Sequence, residues 1–94
     1  MDNSLERIDI VVRGRVQGVG YRYFVACSAR ELAVAGYVRN MPDGSVEIRA
    51  EGDRDSLEKL IAICRQGPPM SIVREINVQW DQATGEFKSF IIAY

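Results

Sequence analysis

A chain of 94 residues supplies one modest hydrophobic core and not two. With 47% hydrophobic and 27% charged residues and a net charge of −1, it offers no bulk attraction to nucleic acid or an acidic membrane surface. No apolar run approaches a membrane span, and two cysteines with no histidine leave no zinc-ligand set, so neither a metal nor any other cofactor is expected.

The chain opens Met1-Asp2-Asn3-Ser4-Leu5-Glu6-Arg7, polar with no apolar segment behind a basic start, so no secretory leader is expected and a cytoplasmic setting is expected. In Arg7–Arg13, Ile8, Ile10 and Val12 alternate with other residues, the period of a strand. The run Gly14-Arg15-Val16-Gln17-Gly18-Val19-Gly20-Tyr21-Arg22-Tyr23-Phe24 comes next and is the most informative stretch of the chain. Glycines at 14, 18 and 20 permit positive φ, so that successive backbone N–H groups can curl around an anion. A helical pattern follows from Tyr21 to about Ala33, with Tyr21, Phe24, Val25, Ser28, Ala29 and Leu32 on one stripe. Its start points open amides and the positive end of the helix dipole at the same loop. Arg22 then sits in the first turn, where a cation is unfavourable unless something negative lies in front of it. The pattern reads as a small phosphate or carboxylate cradle. Residues 7–40 hold six arginines against Asp9 and Glu31, a local excess of positive charge suited to steering an anion.

Gly36 is expected to stop the helix, and Tyr37–Asn40 to form a second strand. Met41-Pro42-Asp43-Gly44 is a hairpin turn leading into the alternating strand Ser45–Glu51, whose Glu47, Arg49 and Glu51 face is expected to be wet. Asp53 is placed to cap a second helix carrying Leu57, Leu60, Ile61 and Cys64, and Gly67-Pro68-Pro69 ends it. Ile72–Trp80 and Phe87–Ala93 are read as strands. Cys27 and Cys64 fall on different helices and are read as reduced, semi-buried thiols. Trp80, Tyr23, Phe87 and Phe90 are read as packing residues.

This order, β-α-β-β-α-β with a short C-terminal strand, gives an α+β fold: a ferredoxin-like two-layer sandwich with an antiparallel sheet and both helices on one face. Residues 1–94 are read as one domain. Strands joined by a βαβ crossover run parallel, so the glycine loop and Asn40 should meet at one sheet edge.

The first run, together with Gly36-Tyr37-Val38-Arg39-Asn40-Met41-Pro42-Asp43-Gly44-Ser45-Val46-Glu47, resembles both signature segments of the acylphosphatases, and the resemblance spans essentially the whole chain. It implies hydrolysis of the carboxyl-phosphate bond of small acyl phosphates without a metal. It also implies that Arg22 binds the phosphoryl group, Asn40 orients a water, and Arg15, Val16, Gln17, Gly18, Val19, Gly20 and Tyr21 form the phosphate loop. Position 21 is Tyr where the family usually has Phe. The chain ends Ala93-Tyr94 rather than in a basic residue plus an aromatic, so a contact from the terminus to the site is not expected. Inorganic phosphate is the expected product and inhibitor, and a monomer the expected state. Neither motif holds a histidine or cysteine, so positioning and charge stabilisation must carry the chemistry. The alternative is a non-catalytic phosphate-binding or regulatory module. An RNA reader of the RRM type is disfavoured, because the first and third strands lack its aromatics.

Overall fold

Ile8, Ile10 and Val12 are completely buried while Asp9 and Val11 between them are not, so the first strand's alternation marks the two faces of a sheet. The computed structural model describes residues 5–94; residues 1–4, which begin the polar start behind the expectation of no leader, lie outside them. The elements are β1 (Glu6–Arg15), α1 (Tyr21–Glu31), β2 (Ala35–Asn40), β3 (Val46–Gly52), α2 (Arg54–Gln66), β4 (Ile72–Gln82) and β5 (Phe90–Ala93). The sheet order is β4-β1-β3-β2-β5. Its β4-β1-β3-β2 part is antiparallel as expected, but β5 pairs parallel with β2, through Gly36↔Phe90 to Arg39↔Ala93. The sheet is therefore mixed. The fold is ferredoxin-like α+β.

Both helices cover the face that carries Ile8, Ile10, Val12, Val38, Val46 and Ile48, and add Val25, Ala26, Ala29, Leu57, Leu60 and Cys64 to one core. α2 starts as the sequence predicts: the Asp53 carboxylate accepts from the Ser56 amide at 2.9 Å, and Gly67 closes the helix with a positive φ of 68°, its amide donating to the Ile63 carbonyl. Tyr21 ties the two helices together. Its ring is buried and its hydroxyl donates to the Cys64 carbonyl at 2.7 Å. Burial pushes both the Tyr21 phenol and the Cys64 thiol up, the latter to about 12. Cys27 and Cys64 are both free thiols.

Three local expectations change. α1 ends at Glu31, before Gly36; Ala33 takes the left-handed position, and Gly36 lies inside β2. Gly14 does not join the anion loop. It belongs to β1 at a register shift against β4, where a Cβ would stand 2.2 Å from the Ile72 carbonyl oxygen. Glu51 is buried rather than wet, because the segment between β4 and β5 folds over it.

Candidate functional site

β1 and β2 both run antiparallel to β3, which lies between them, so their carboxyl ends reach the same edge of the sheet. The loop from Val16 to Gly20 leaves β1 there, and Asn40 ends β2 there. Gly20 caps α1 in a left-handed conformation, with φ 81°, and offers no side chain to the helix. A Cβ at Gly18 or Gly20 would meet nothing within 4 Å, so the demand for glycine comes from the backbone angle and not from crowding. The bond from the Phe24 amide to the Gly20 carbonyl, at 3.1 Å, is where the helix ladder begins. The amides of the first turn are left open, no acidic residue lies in that turn, and the dipole end is uncompensated.

Arg22 lies in this turn and is braced from the far end of the chain. Its Nη1 donates to the Ala93 carbonyl at 3.2 Å, and its guanidinium carbon lies 4.8 Å from the centroid of the Tyr94 ring. The parallel register of β5 on β2 brings this about: Ala93 pairs with Arg39, so Tyr94 runs on beside Asn40. The terminus therefore does reach the site, contrary to the expectation drawn from its composition. Asn40 presents a side-chain Oδ1 that is buried and has no hydrogen-bond partner within the protein. A buried carbonyl oxygen left without a donor is costly, on the order of 1–3 kcal/mol, and marks a place where a donor is wanted.

Val16, Gly18, Gly20, Tyr21, Arg22, Tyr23, Asn40, Ile92 and Tyr94 line one cleft of ≈ 220 Å³. Six of the nine residues singled out in the sequence are thus brought together. Of the other three, Arg15 is exposed at the end of β1, opposite Ile72, and Val19 packs against the core. Gln17 turns its side chain away from the cleft and donates through Nε2 to the carbonyls of Met41 and Ser45, both at 2.8 Å. Tyr21 contributes through its main chain, since its hydroxyl is committed to Cys64. Sequence reasoning missed Tyr23, Ile92 and Tyr94 as lining residues. Tyr23, read as packing, is 67% exposed at the cleft mouth, whereas Phe90 is buried as expected and Phe87 packs edge-on against Tyr37.

Arg22 is the only charged side chain among the lining residues. A hydrogen-bonding interaction with Cys27, one turn along α1, raises the Tyr23 phenol above its ordinary value. Beside the cleft, Asp43 holds the β2–β3 turn: the Ser45 hydroxyl and amide, then Arg13, keep its carboxyl down to about 2. Among the described residues no three of His, Cys, Asp or Glu gather in a way that could hold a metal ion. The arrangement can bind an anion on open amides and one guanidinium, and can orient a small donor on Asn40.

The family model described as Acylphosphatase matches residues 8–92. An acylphosphatase of Methylococcus capsulatus is 48% identical over 88 residues, covering 94% of this chain and 96% of its own. One of Pelotomaculum thermopropionicum is 46% identical over 91 residues, covering 97% and 99%. Among solved structures, acylphosphatase from Bacillus subtilis superposes with a TM-score of 0.91 at 40% identity, covering 95% of this chain and 99% of its own.

Proposed function

Because the chain belongs to the acylphosphatase family, hydrolases of acid anhydrides, we propose that its cleft hydrolyses small acyl phosphates to a carboxylate and inorganic phosphate by direct attack of water. The observation that carries the reading is the meeting of Arg22 and Asn40 in one cleft at an uncapped helix start. The amides of the Arg15–Tyr21 loop and the Arg22 guanidinium bind the phosphoryl oxygens, with the guanidinium steadied by Ala93 and Tyr94. Asn40 Oδ1 accepts a hydrogen from a water and holds its oxygen in line with phosphorus. As the water oxygen bonds to phosphorus, the bond from phosphorus to the acyl oxygen breaks and a carboxylate leaves. A phosphate oxygen takes the water's proton, so no protein base is required.

Inorganic phosphate, the product, competes for the same amides and guanidinium. The protein works without a metal, as a monomeric single domain in the cytoplasm, with no nucleic-acid or membrane partner; among the described residues no helix is long and apolar enough to cross a membrane. Phosphate release from acetyl phosphate and benzoyl phosphate, with and without EDTA, tests the reading. Turnover of either substrate, unaffected by the chelator, is expected. Phosphate binding without turnover would leave a non-catalytic anion-binding module instead.

A further inference from the structure

β5 brings Ala93 and Tyr94 to Arg22, yet it is only four residues long and lies at the edge of the sheet with β2 as its one neighbouring strand. The connection 83–89, which forms neither helix nor strand, leads into it. A short edge strand on a single ladder is among the first parts of a fold to open. In the register Gly36↔Phe90 the Ser89 carbonyl accepts from the Gly36 amide at 3.0 Å, which leaves the next carbonyl, on Phe90, outside the ladder to β2. Arg30 takes it: Nε donates to the Phe90 carbonyl at 3.1 Å. Arg30 lies in the last turn of α1 and Arg22 in the first, where Nη1 holds the Ala93 carbonyl. One helix thus grips the strand at both ends. From Arg22 to Arg30 the helix advances about 12 Å and from Phe90 to Ala93 the strand advances about 10 Å, so the two grips match in length. Among the described residues no carboxylate pairs with Arg30, and its side chain is spent on this one bond.

From this double grip we propose that Arg30 is a positioning residue for the phosphate ligand: it fixes the start of β5 on α1, so that the Ala93 carbonyl and the Tyr94 ring arrive where they brace Arg22. Arg30 is not among the residues that line the cleft, so its effect passes through the strand and not through contact with substrate. Without its bond the buried Phe90 ring still ties β5 to the core, but the strand is free to shift along α1. The Arg22 guanidinium then loses its fixed orientation, and a misplaced donor binds the phosphoryl oxygens less well. The proposal rests on the phosphate site of the reading above and not on turnover.

The test compares the wild type with Arg30→Met, Arg30→Ala and Arg30→Gln by calorimetric titration with inorganic phosphate, by kcat and KM for acetyl phosphate, and by amide hydrogen exchange. Glutamine keeps an N–H donor at the atom where arginine has Nε and drops the charge, methionine puts a methyl group there, and all three replacements are good helix formers. Arg30→Met and Arg30→Ala weaken phosphate binding by about 3–10-fold and raise the KM for acetyl phosphate in step, as loss of one hydrogen bond requires. In both, the amides of β5 exchange faster relative to those of β1. Arg30→Gln stays within about twofold of the wild type because the donor remains. Wild-type phosphate affinity in the two folded truncations overturns the proposal. A loss in Arg30→Gln as large as in Arg30→Met also overturns it, since charge acting through space would then be responsible. So does weaker phosphate binding with exchange in β5 unchanged. A wild type that binds phosphate but releases none from acetyl phosphate sinks the hydrolase reading alone, and the titrations then decide for or against Arg30. One that binds no phosphate sinks both.

Discussion

The Gln17 side-chain amide donates to the Met41 carbonyl at 2.8 Å, and this bond fastens the anion loop to the residue that directly follows Asn40. With its second bond, to Ser45, Gln17 spans the gap between the carboxyl ends of β1 and β2 and sets the spacing of the two halves of the site. Gln17→Ala should lower stability by about 1–2 kcal/mol, the loss of two part-buried hydrogen bonds, and should lower kcat as the loop and Asn40 drift relative to each other. Urea unfolding and steady-state kinetics measure both. A variant with wild-type midpoint and wild-type kcat shows that the bridge is incidental.

Arg22→Ala should reduce hydrolysis by roughly 10²–10³ and weaken inhibition by phosphate, the usual consequence of removing a donor from developing negative charge. Arg22→Lys should recover little. A lysine lacks the planar donor fork, and its single nitrogen does not reproduce the side-by-side donation of a guanidinium to phosphoryl oxygens while another edge holds Ala93. Phosphate inhibition and rate at wild-type levels in Arg22→Ala would remove Arg22 from the site.

Asn40→Ala separates binding from turnover. Its carbonyl oxygen is assigned to water, so phosphate inhibition should persist while kcat falls by about two orders of magnitude. The folded state should not suffer, because the buried Oδ1 has no partner in the protein to lose. Weaker phosphate inhibition with kcat retained points instead to a direct phosphate ligand.

The lining holds no histidine, cysteine or acidic side chain, and the Tyr21 and Tyr23 phenols are both shifted upward, Tyr21 by burial and Tyr23 by its interaction with Cys27. Activity should therefore be flat from about pH 6 to 8, where only histidine, perturbed cysteine or the α-amino group normally change charge. EDTA should leave it unchanged, because the lining offers no side-chain carboxylate, thiol or imidazole to a metal. A bell-shaped profile centred near neutrality, corrected for ionisation of the substrate, would expose an acid or base outside this set. Chelator-sensitive activity restored by Mg²⁺ would replace the proposed mechanism.

Acid sensitivity of the fold should centre on Glu51. Burial alone would raise its carboxyl, but bonds from the Thr84 and Gly85 amides and the Thr84 hydroxyl outweigh burial and hold it below its ordinary 4.5. A depressed folded value means that the carboxylate stabilises the protein fully above about pH 4.5 and ceases to do so as pH falls through the lower folded value. The Asp43 clamp, held near 2, should release at still lower pH. Denaturant midpoints between pH 7 and pH 3 should fall in the wild type and fall less in Glu51→Gln. Parallel curves for the two proteins argue against Glu51.

The sequence carried the architecture because its signals are local. Alternation in Ile8-Asp9-Ile10 and in Val46-Glu47-Ile48, and the Asp53 cap, each need only a few neighbouring residues to be read. Arg22 and Asn40 were legible for a related reason, since a right-handed βαβ crossover fixes where the ends of its strands lie. Contacts closed between distant segments escaped. Gln17 reaches a turn 24 residues on, and its bond depends on the register of β2 against β3. Glu51 occupies a polar position in an alternating strand and is buried only because residues 83–85 fold across it. β5 begins at Phe90 rather than Phe87, and its parallel pairing, which delivers Tyr94 to Arg22, leaves no periodic trace in the chain. Gly14 was misread for the opposite reason. Its proximity to the loop suggested an anion ligand, while its backbone was needed against Ile72.

The direction of β5 has a practical consequence for handling the protein. Any peptide fused after Tyr94 begins at the rim of the cleft, next to the ring that supports Arg22, and crowds the opening through which substrate enters. β1 runs in the same direction as β2 and β5, so Glu6, at its start, lies at the end of the strand remote from Arg15 and the loop. An affinity tag or fluorophore attached upstream of β1 therefore emerges far from the chemistry. A fusion at the other end would give a folded protein with depressed turnover, easily mistaken for a poor enzyme.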